Sequence, residues 1–319
     1  MPYCRYRTVG FESLLSREAP LRASKDSTSK TFDEEFLKKL EYLYIVSQKI
    51  AAGKFRAKRK TRLVGSGIDF ADHRQYTPGD DVRNLDWRVY RRTEKLFLKL
   101  YEEEEDLHIY FLVDNSRSMH LGNPNKWQVA RQLAAALAYI GLCNLDRVSI
   151  VPFSSHVTDR MAPTRGKAQI FKVFNFLERC EPGEQTTMKD AFRTFVNENK
   201  RAGLVVVISD YYDPSGFEEG LDILRYHRFE PMVIQLYDRR ELEFSLQGDV
   251  ELVDCETGEV RKMTVTPAMV REYRRVFEEF SNDLETYCTR RQILYFRAAL
   301  QQSFEDLVLK IFRAGGFLK

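Results

Sequence analysis

No stretch of this chain approaches the roughly 18 consecutive apolar residues that a membrane-spanning helix needs. The longest candidate, around Leu133 to Cys143, is short and amphipathic. The N-terminus, MPYCRYRTVGFESLLSREAPLR, lacks the apolar core of a signal peptide. A cytoplasmic location without membrane contact is therefore the expectation. Cysteine is scarce. Cys4, Cys143, Cys180, Cys255 and Cys288 include no C-x-x-C pair and are odd in number. That argues against a disulfide framework or a cysteine zinc site and fits a reducing compartment. Excess charge of one sign is also missing, with 50 Lys and Arg facing 47 Asp and Glu. A net charge of +3 gives little footing for nucleic acid or an acidic membrane surface. The histidines, His73, His108, His120, His156 and His227, show no metal-binding spacing. Gly65-Ser66-Gly67 is not followed by Gly-Lys-Ser/Thr, so it is no phosphate loop. Ser154 and Ser155 adjoin His156, but neighbours on a strand face opposite ways, and a serine triad is not supported.

What is present is a globular composition. Hydrophobic residues make up 43% and charged residues 30% of 319, enough for one large α/β domain with an appendage. Residues 1–30 are polar and read as a flexible leader. In 31–104, a helix beginning near Thr31 or Asp33 carries Phe36, Leu37, Leu40, Leu43, Tyr44 and Ile50 at helical spacing, and Gly53 ends it. The basic run Lys54, Arg56, Lys58, Arg59, Lys60 and Arg62 reads as a solvated face or as a phosphate-binding strip, with no aromatic platform beyond Phe55 for nucleic acid.

Residues 105–316 change character. Leu107–Val113 and Leu204–Ile208 are near-continuous apolar strands, with further strands over Val148–Phe153, Pro231–Tyr237 and Ile293–Phe296. Helices are expected over Trp127–Leu142, 166–180, 188–200, 215–227, 267–289 and from Ser303, with a β-hairpin around 241–265. Apolar strands alternating with helices predict a doubly wound, mostly parallel α/β sheet covered on both faces.

Ligands of such sheets sit beyond the strand ends. One strand ends Asp114-Asn115-Ser116-Arg117-Ser118 and another Ser209-Asp210. Both ends can lie on one edge of the sheet, and their carboxylates and hydroxyls there make a hard oxygen site suited to Mg²⁺ or another divalent cation. Alone, Asp114, Ser116 and Ser118 read as turn and cap residues before the next helix, and it is the buried strand before them, Asp210 at a second strand end and a loop threonine that together favour a metal. A loop threonine, Thr186 or Thr187 in Gly183-Glu184-Gln185-Thr186-Thr187, lies between the two strands. The rival chemistry is a haloacid-dehalogenase-type, Mg²⁺-dependent phosphatase with Asp114 as nucleophile. It requires a second Asp at position 116, where Ser stands.

Asp114, Ser116 and Ser118, a loop threonine and then Asp210 resemble the metal-ion-dependent adhesion site of von Willebrand factor A domains. The resemblance implies that the serines and Thr186, whose register Ala191 favours, supply oxygens while the aspartates hold the ion, often through water. It also implies an exposed edge where a partner's acidic side chain completes the coordination. Upstream, Gly65-Ser66-Gly67-Ile68-Asp69-Phe70, Arg74-Gln75-Tyr76, Pro78-Gly79-Asp80-Asp81, Arg83 and Asp86-Trp87 are similar to the signature of the bacterial family called domain of unknown function 58, as are Glu102–Asp106 and Asp254–Glu259. Arg74, Asp80, Asp81, Arg83, Asp86 and Trp87 are candidates for partner binding. Equally, Pro78–Asp81 reads as a turn and Arg83–Asp86 as a structural ion pair under Trp87. The family resemblance implies a non-enzymatic adaptor or chaperone partner of a MoxR-type AAA+ ATPase.

Overall fold

The computed structural model describes residues 4–8, 32–54, 69–102, 107–120, 124–154, 157, 159–183, 187–242, 248–254 and 260–313. In chain order the elements are β1 (Cys4–Thr8), α1 (Glu34–Lys54), β2 (Asp69–Gln75), α2 (Trp87–Thr93), β3 (Phe97–Glu102), β4 (His108–Asp114), α3 (Lys126–Cys143), β5 (Arg147–Phe153), α4 (Ile170–Arg179), α5 (Met188–Glu198), β6 (Leu204–Ser209), α6 (Glu218–Tyr226), β7 (Glu230–Tyr237), α7 (Arg239–Leu242), β8 (Gly248–Asp254), β9 (Val260–Val265), α8 (Pro267–Arg290), β10 (Leu294–Ala299) and α9 (Phe304–Arg313). They divide into two compact units. One takes in the described residues up to Ile45 and from Leu107 onward, the other those between Val46 and Asp106.

The larger unit is built on a five-stranded sheet of order β10-β7-β6-β4-β5, parallel throughout. Burial explains why these runs become strands. Residues 109–114 of β4 and all of β6 are buried, as strands covered on both faces must be. Tyr110, Leu112, Val205, Val207 and Val233 meet Phe192 and Phe195 of α5, Leu221 and Leu224 of α6, and Leu284 of α8 in one core cluster. On α3, Ala134–Ala138 are completely buried, and the helix packs on β4 and β5 as well as on α4 and α9. The first half of α1 belongs to this unit. Asp33 caps it by accepting from the Phe36 amide at 2.8 Å. Its Phe36, Leu40 and Leu43 fall on one buried stripe, and the Phe36 ring lies against Phe174 of α4 and Phe304 of α9. The doubly wound α/β fold predicted from the apolar strands is the fold observed.

The chain's path through this sheet creates a switch point. From β4 it moves outward to β5 through α3, then returns through α4 and α5 to the other side of β4 as β6. Strand order therefore reverses between β4 and β6, and ligands of doubly wound sheets bind beyond the carboxyl ends of the strands at such a reversal.

One element departs from expectation. Cys4–Thr8, placed in a flexible leader by its polar composition, is a strand paired antiparallel with β8, Cys4 opposite Asp254 and Thr8 opposite Val250. The hairpin β8–β9 has an open edge whose backbone groups need partners, and β1 supplies them. The rest of the expected leader, the basic run beyond Lys54 and Gly65-Ser66-Gly67 lie outside the described residues.

In the smaller unit, β2 and β3 form an antiparallel ribbon with a register shift between Phe70 and Asp72. Between them Asp86 caps α2, accepting from the Arg88 and Val89 amides at 2.9 and 3.3 Å.

Candidate metal centre

β4 and β6 are hydrogen-bonded neighbours, so their carboxyl ends emerge side by side. Asp114 closes β4. Its Oδ1 accepts from the Ser116 amide at 2.9 Å, and its Oδ2 accepts from the Ser209 hydroxyl at 2.5 Å. A 3₁₀ turn over Arg117–His120 brings the Ser116 and Ser118 hydroxyls to 3.0 Å from each other. Ser118 Oγ then donates to Asp210 Oδ2 at 3.1 Å. Asp210 is aimed by a turn in which Tyr211 adopts φ 64°, a left-handed conformation costly for a tyrosine. The turn is held by the Tyr211 amide on Ser209 Oγ at 2.8 Å and by the buried Tyr211 hydroxyl on the Val207 carbonyl at 3.0 Å. Four predicted residues, Asp114, Ser116, Ser118 and Asp210, thus join one hydrogen-bonded set, with Ser209 attached at Asp114.

The predicted threonine is less settled. Thr186 lies outside the described residues. Thr187 precedes α5, its amide donating to the Ser154 carbonyl at 3.3 Å. The loop leading to it is nonetheless anchored beside β4. Gly183 donates to the Asn115 carbonyl at 2.8 Å, and Asn115 Nδ2 donates to the Glu181 carbonyl at 2.5 Å. A Cβ on Gly183 would stand 2.6 Å from both Cβ and Oγ of Ser154, so only glycine permits this approach. His120 Nε2 lies 2.8 Å from Asn115 Oδ1, and burial holds its imidazole down at about 4, neutral in physiological conditions. Asp213 serves α5, accepting from the Met188 amide at 2.5 Å.

Two site residues escaped the sequence reading. Lys126, at the start of α3, is 3% exposed. Its ammonium lies 3.0 Å from Asp210 Oδ2, 2.6 Å from Glu241 Oε1 and 5.0 Å from the centre of the Tyr212 ring. Glu241 arrives from α7, just beyond β7. A signal for Lys126 did exist. It is in phase with Ala130, Leu133 and Leu137, all buried, so a lysine stands on the apolar stripe of its helix.

The electrostatics are lopsided. Burial, reinforced by the charge of Asp210, pushes the Asp114 carboxyl far above the ordinary carboxylate range. Burial pulls the Lys126 ammonium down, but Asp210 and Glu241 outweigh it and keep it charged. Burial raises Glu241 despite Lys126. With Asp114, Asp210 and Glu241 ionised, three carboxylates face one ammonium, leaving two negative charges, the charge of one divalent cation. The donors, two carboxylates and two hydroxyls, are all hard oxygens, as Mg²⁺ prefers. Among the described residues no group of three or more His, Cys, Asp and Glu side chains is placed to hold a metal, so any ion here depends on the serines. The expected exposure is not met. Asp114, Ser116, Ser118 and Asp210 are all buried.

In the smaller unit the predicted residues mostly serve one another. Arg74 pairs with Asp80 at 2.6 Å, and Asp80 also accepts from the amide and hydroxyl of Thr77. Asp81 accepts from the Arg83 amide at 2.9 Å. The expected Arg83–Asp86 ion pair does not form. Asp86 turns instead to His73 Nε2 at 3.0 Å and Lys99 at 3.9 Å. Trp87 does not cover them. It is exposed, edge-on to the exposed Tyr90.

Residues 72–283 match the family described as "Protein of unknown function DUF58", a span that includes both the 74–87 signature and the strand-end carboxylates. The chain belongs to the DUF58 family. An uncharacterized protein of Mycobacterium tuberculosis is 26% identical to this DUF58 chain over 218 residues, 67% of this chain and 68% of its own length. A Mycobacterium bovis protein aligns with the same figures. Among solved structures, an aerotolerance-related membrane protein from Bacteroides fragilis aligns with 65% of this chain and 99% of its own, at 16% identity and TM-score 0.38. The conserved hypothetical protein BatB from Bacteroides thetaiotaomicron aligns over the same shares at 14% identity and TM-score 0.38. Among the described residues of the DUF58 chain, no helix is long and apolar enough to cross a membrane.

Proposed function

We propose that this DUF58 protein is a magnesium-dependent protein-interaction module of von Willebrand factor A type, without catalysis of its own. The observation that carries the reading is the hydrogen-bonded set of Asp114, Ser116, Ser118 and Asp210 at the β4–β6 reversal, whose two carboxylates leave two negative charges for a divalent cation to balance. A divalent ion bound there stays more electron-poor than in a site built from three carboxylates, since two of its ligands are neutral hydroxyls. It is then an anchor for an acidic side chain of another protein. The partner class is a MoxR-type AAA+ ATPase, served as adaptor or chaperone partner, and the compartment is the cytoplasm. Because the four side chains are buried, the segments covering the strand ends must move before a partner can reach the ion. The phosphatase alternative finds no support in the geometry. Both oxygens of Asp114 already accept hydrogen bonds from the chain, position 116 carries no acid, and Asp213 caps α5.

The test joins Mg²⁺ calorimetry to pull-down of a MoxR-type ATPase with and without chelator. Asp114→Ala should abolish both signals while circular dichroism stays native. Phosphatase turnover that vanishes in Asp114→Ala, or a complex indifferent to both chelation and Asp114→Ala, refutes the reading.

A further inference from the structure

We propose that Lys126 is a resident cation of this site, sharing Asp210 with an incoming divalent ion, and that Glu241 is the carboxylate that draws the ammonium aside. The inference rests on the ion-site reading above and assigns roles to two residues outside that ligand set.

Three observations carry it. First, Lys126 is almost fully buried, and desolvating an ammonium costs several kcal/mol unless carboxylates compensate. A lysine on the apolar stripe of α3 therefore exists because of its partners. Second, the Asp210 oxygen it engages, Oδ2, is the one that accepts from Ser118. The ammonium is thus on the ion-facing side of that carboxylate, not behind it. Asp210's other oxygen is taken by the Tyr212 amide at 3.2 Å. Third, Glu241 holds Lys126 through Oε1 only, while its Oε2 is buried without a hydrogen-bond partner. Glu241 has acceptor capacity to spare for the ammonium when a divalent ion claims Asp210. Lys126 repels that ion, and Glu241 attracts it both directly and by holding the lysine. The two substitutions must then act with opposite sign, which a merely structural salt bridge would not produce.

The experiment measures Mg²⁺ binding by calorimetry to the full chain and to Lys126→Met, Lys126→Arg, Glu241→Gln and Asp114→Ala. Lys126→Met should bind on the order of tenfold more tightly and Glu241→Gln about tenfold more weakly, because each changes one unit charge close to the ion. Lys126→Arg keeps the charge and should stay near the parent. In chelator, Lys126→Met should melt below the parent, and Mg²⁺ should recover more of its stability than it adds to the parent. Weaker binding in both Lys126→Met and Glu241→Gln, or Lys126→Arg behaving as Lys126→Met, overturns the inference while leaving the ion site standing. Absence of Mg²⁺ binding in every protein, with Asp114→Ala indistinguishable from the rest, overturns the ion site and the inference together. If Lys126→Met does not fold, Glu241→Gln decides alone: weaker binding supports the inference, and unchanged or tighter binding overturns it.

Discussion

Asp114→Asn should raise the stability of the metal-free protein and remove its response to Mg²⁺. In the folded chain, burial and the neighbouring Asp210 lift the Asp114 carboxyl from its ordinary 3.8 to about 7. A raised acid binds more protons folded than unfolded. Stability through this group therefore falls as pH rises from about 4 to about 7 and is flat above. A shift of that size corresponds to about 4 kcal/mol of penalty at pH 8, an upper bound because Asp210 shares it. The amide has the same shape and keeps an acceptor for the Ser116 amide. It costs about 1 kcal/mol where Ser209 loses the carboxylate it donates to. The balance is at most about 3 kcal/mol in favour of Asn, an upper limit of roughly 6–12 °C in a domain of this size. Thermal melts of parent and variant in chelator, from pH 5 to pH 8, should show the gap widening toward pH 8. Mg²⁺ at a hundred times its dissociation constant adds about 2.7 kcal/mol to the parent and nothing to the variant, closing or reversing the gap. A variant less stable than the parent at pH 8 in chelator would refute the reasoning, since burial and Asp210 would then not penalise the Asp114 charge.

Two further outcomes test the surroundings. Gly183→Ala should displace the loop packed on Ser154 and Asn115, destabilising by about 1–3 kcal/mol and shrinking the Mg²⁺-induced melting shift; an unchanged shift would detach that loop from the site. In the smaller unit, the hydrogen bond from His73, supported by the Val89 and Arg88 amides, holds the Asp86 carboxyl down at about 2. Its stabilisation is present above pH 4 and is lost as pH falls toward 2. The Arg88 and Val89 amide resonances should move over that window, and Asp86→Ala should show the acid positions at neutral pH; resonances indifferent to both would show that Asp86 does not cap α2.

Much of the larger unit is legible locally. A run such as Leu204–Ile208 has no polar face, so it can only be a strand covered on both sides, and Asp114 and Asp210 sit at such strand ends by position alone. The cap at Asp33 and the Phe36, Leu40, Leu43 stripe likewise follow from spacing. What only the tertiary structure decides depends on partners distant along the chain. That β6 returns to the far side of β4, bringing Asp210 to Ser118 across 92 positions, is a matter of strand order, and strand order leaves no periodic trace. Asp86 chooses His73 over the nearby Arg83 because the β2–β3 ribbon delivers the ring. Cys4–Thr8 is too short and polar to announce a strand, and it becomes one only beside the open edge of β8. Lys126 is buried because Asp210, 84 positions on, and Glu241 compensate its charge. A charged side chain can be buried only where opposite charges meet it, and that meeting belongs to the fold, not to any window of the sequence.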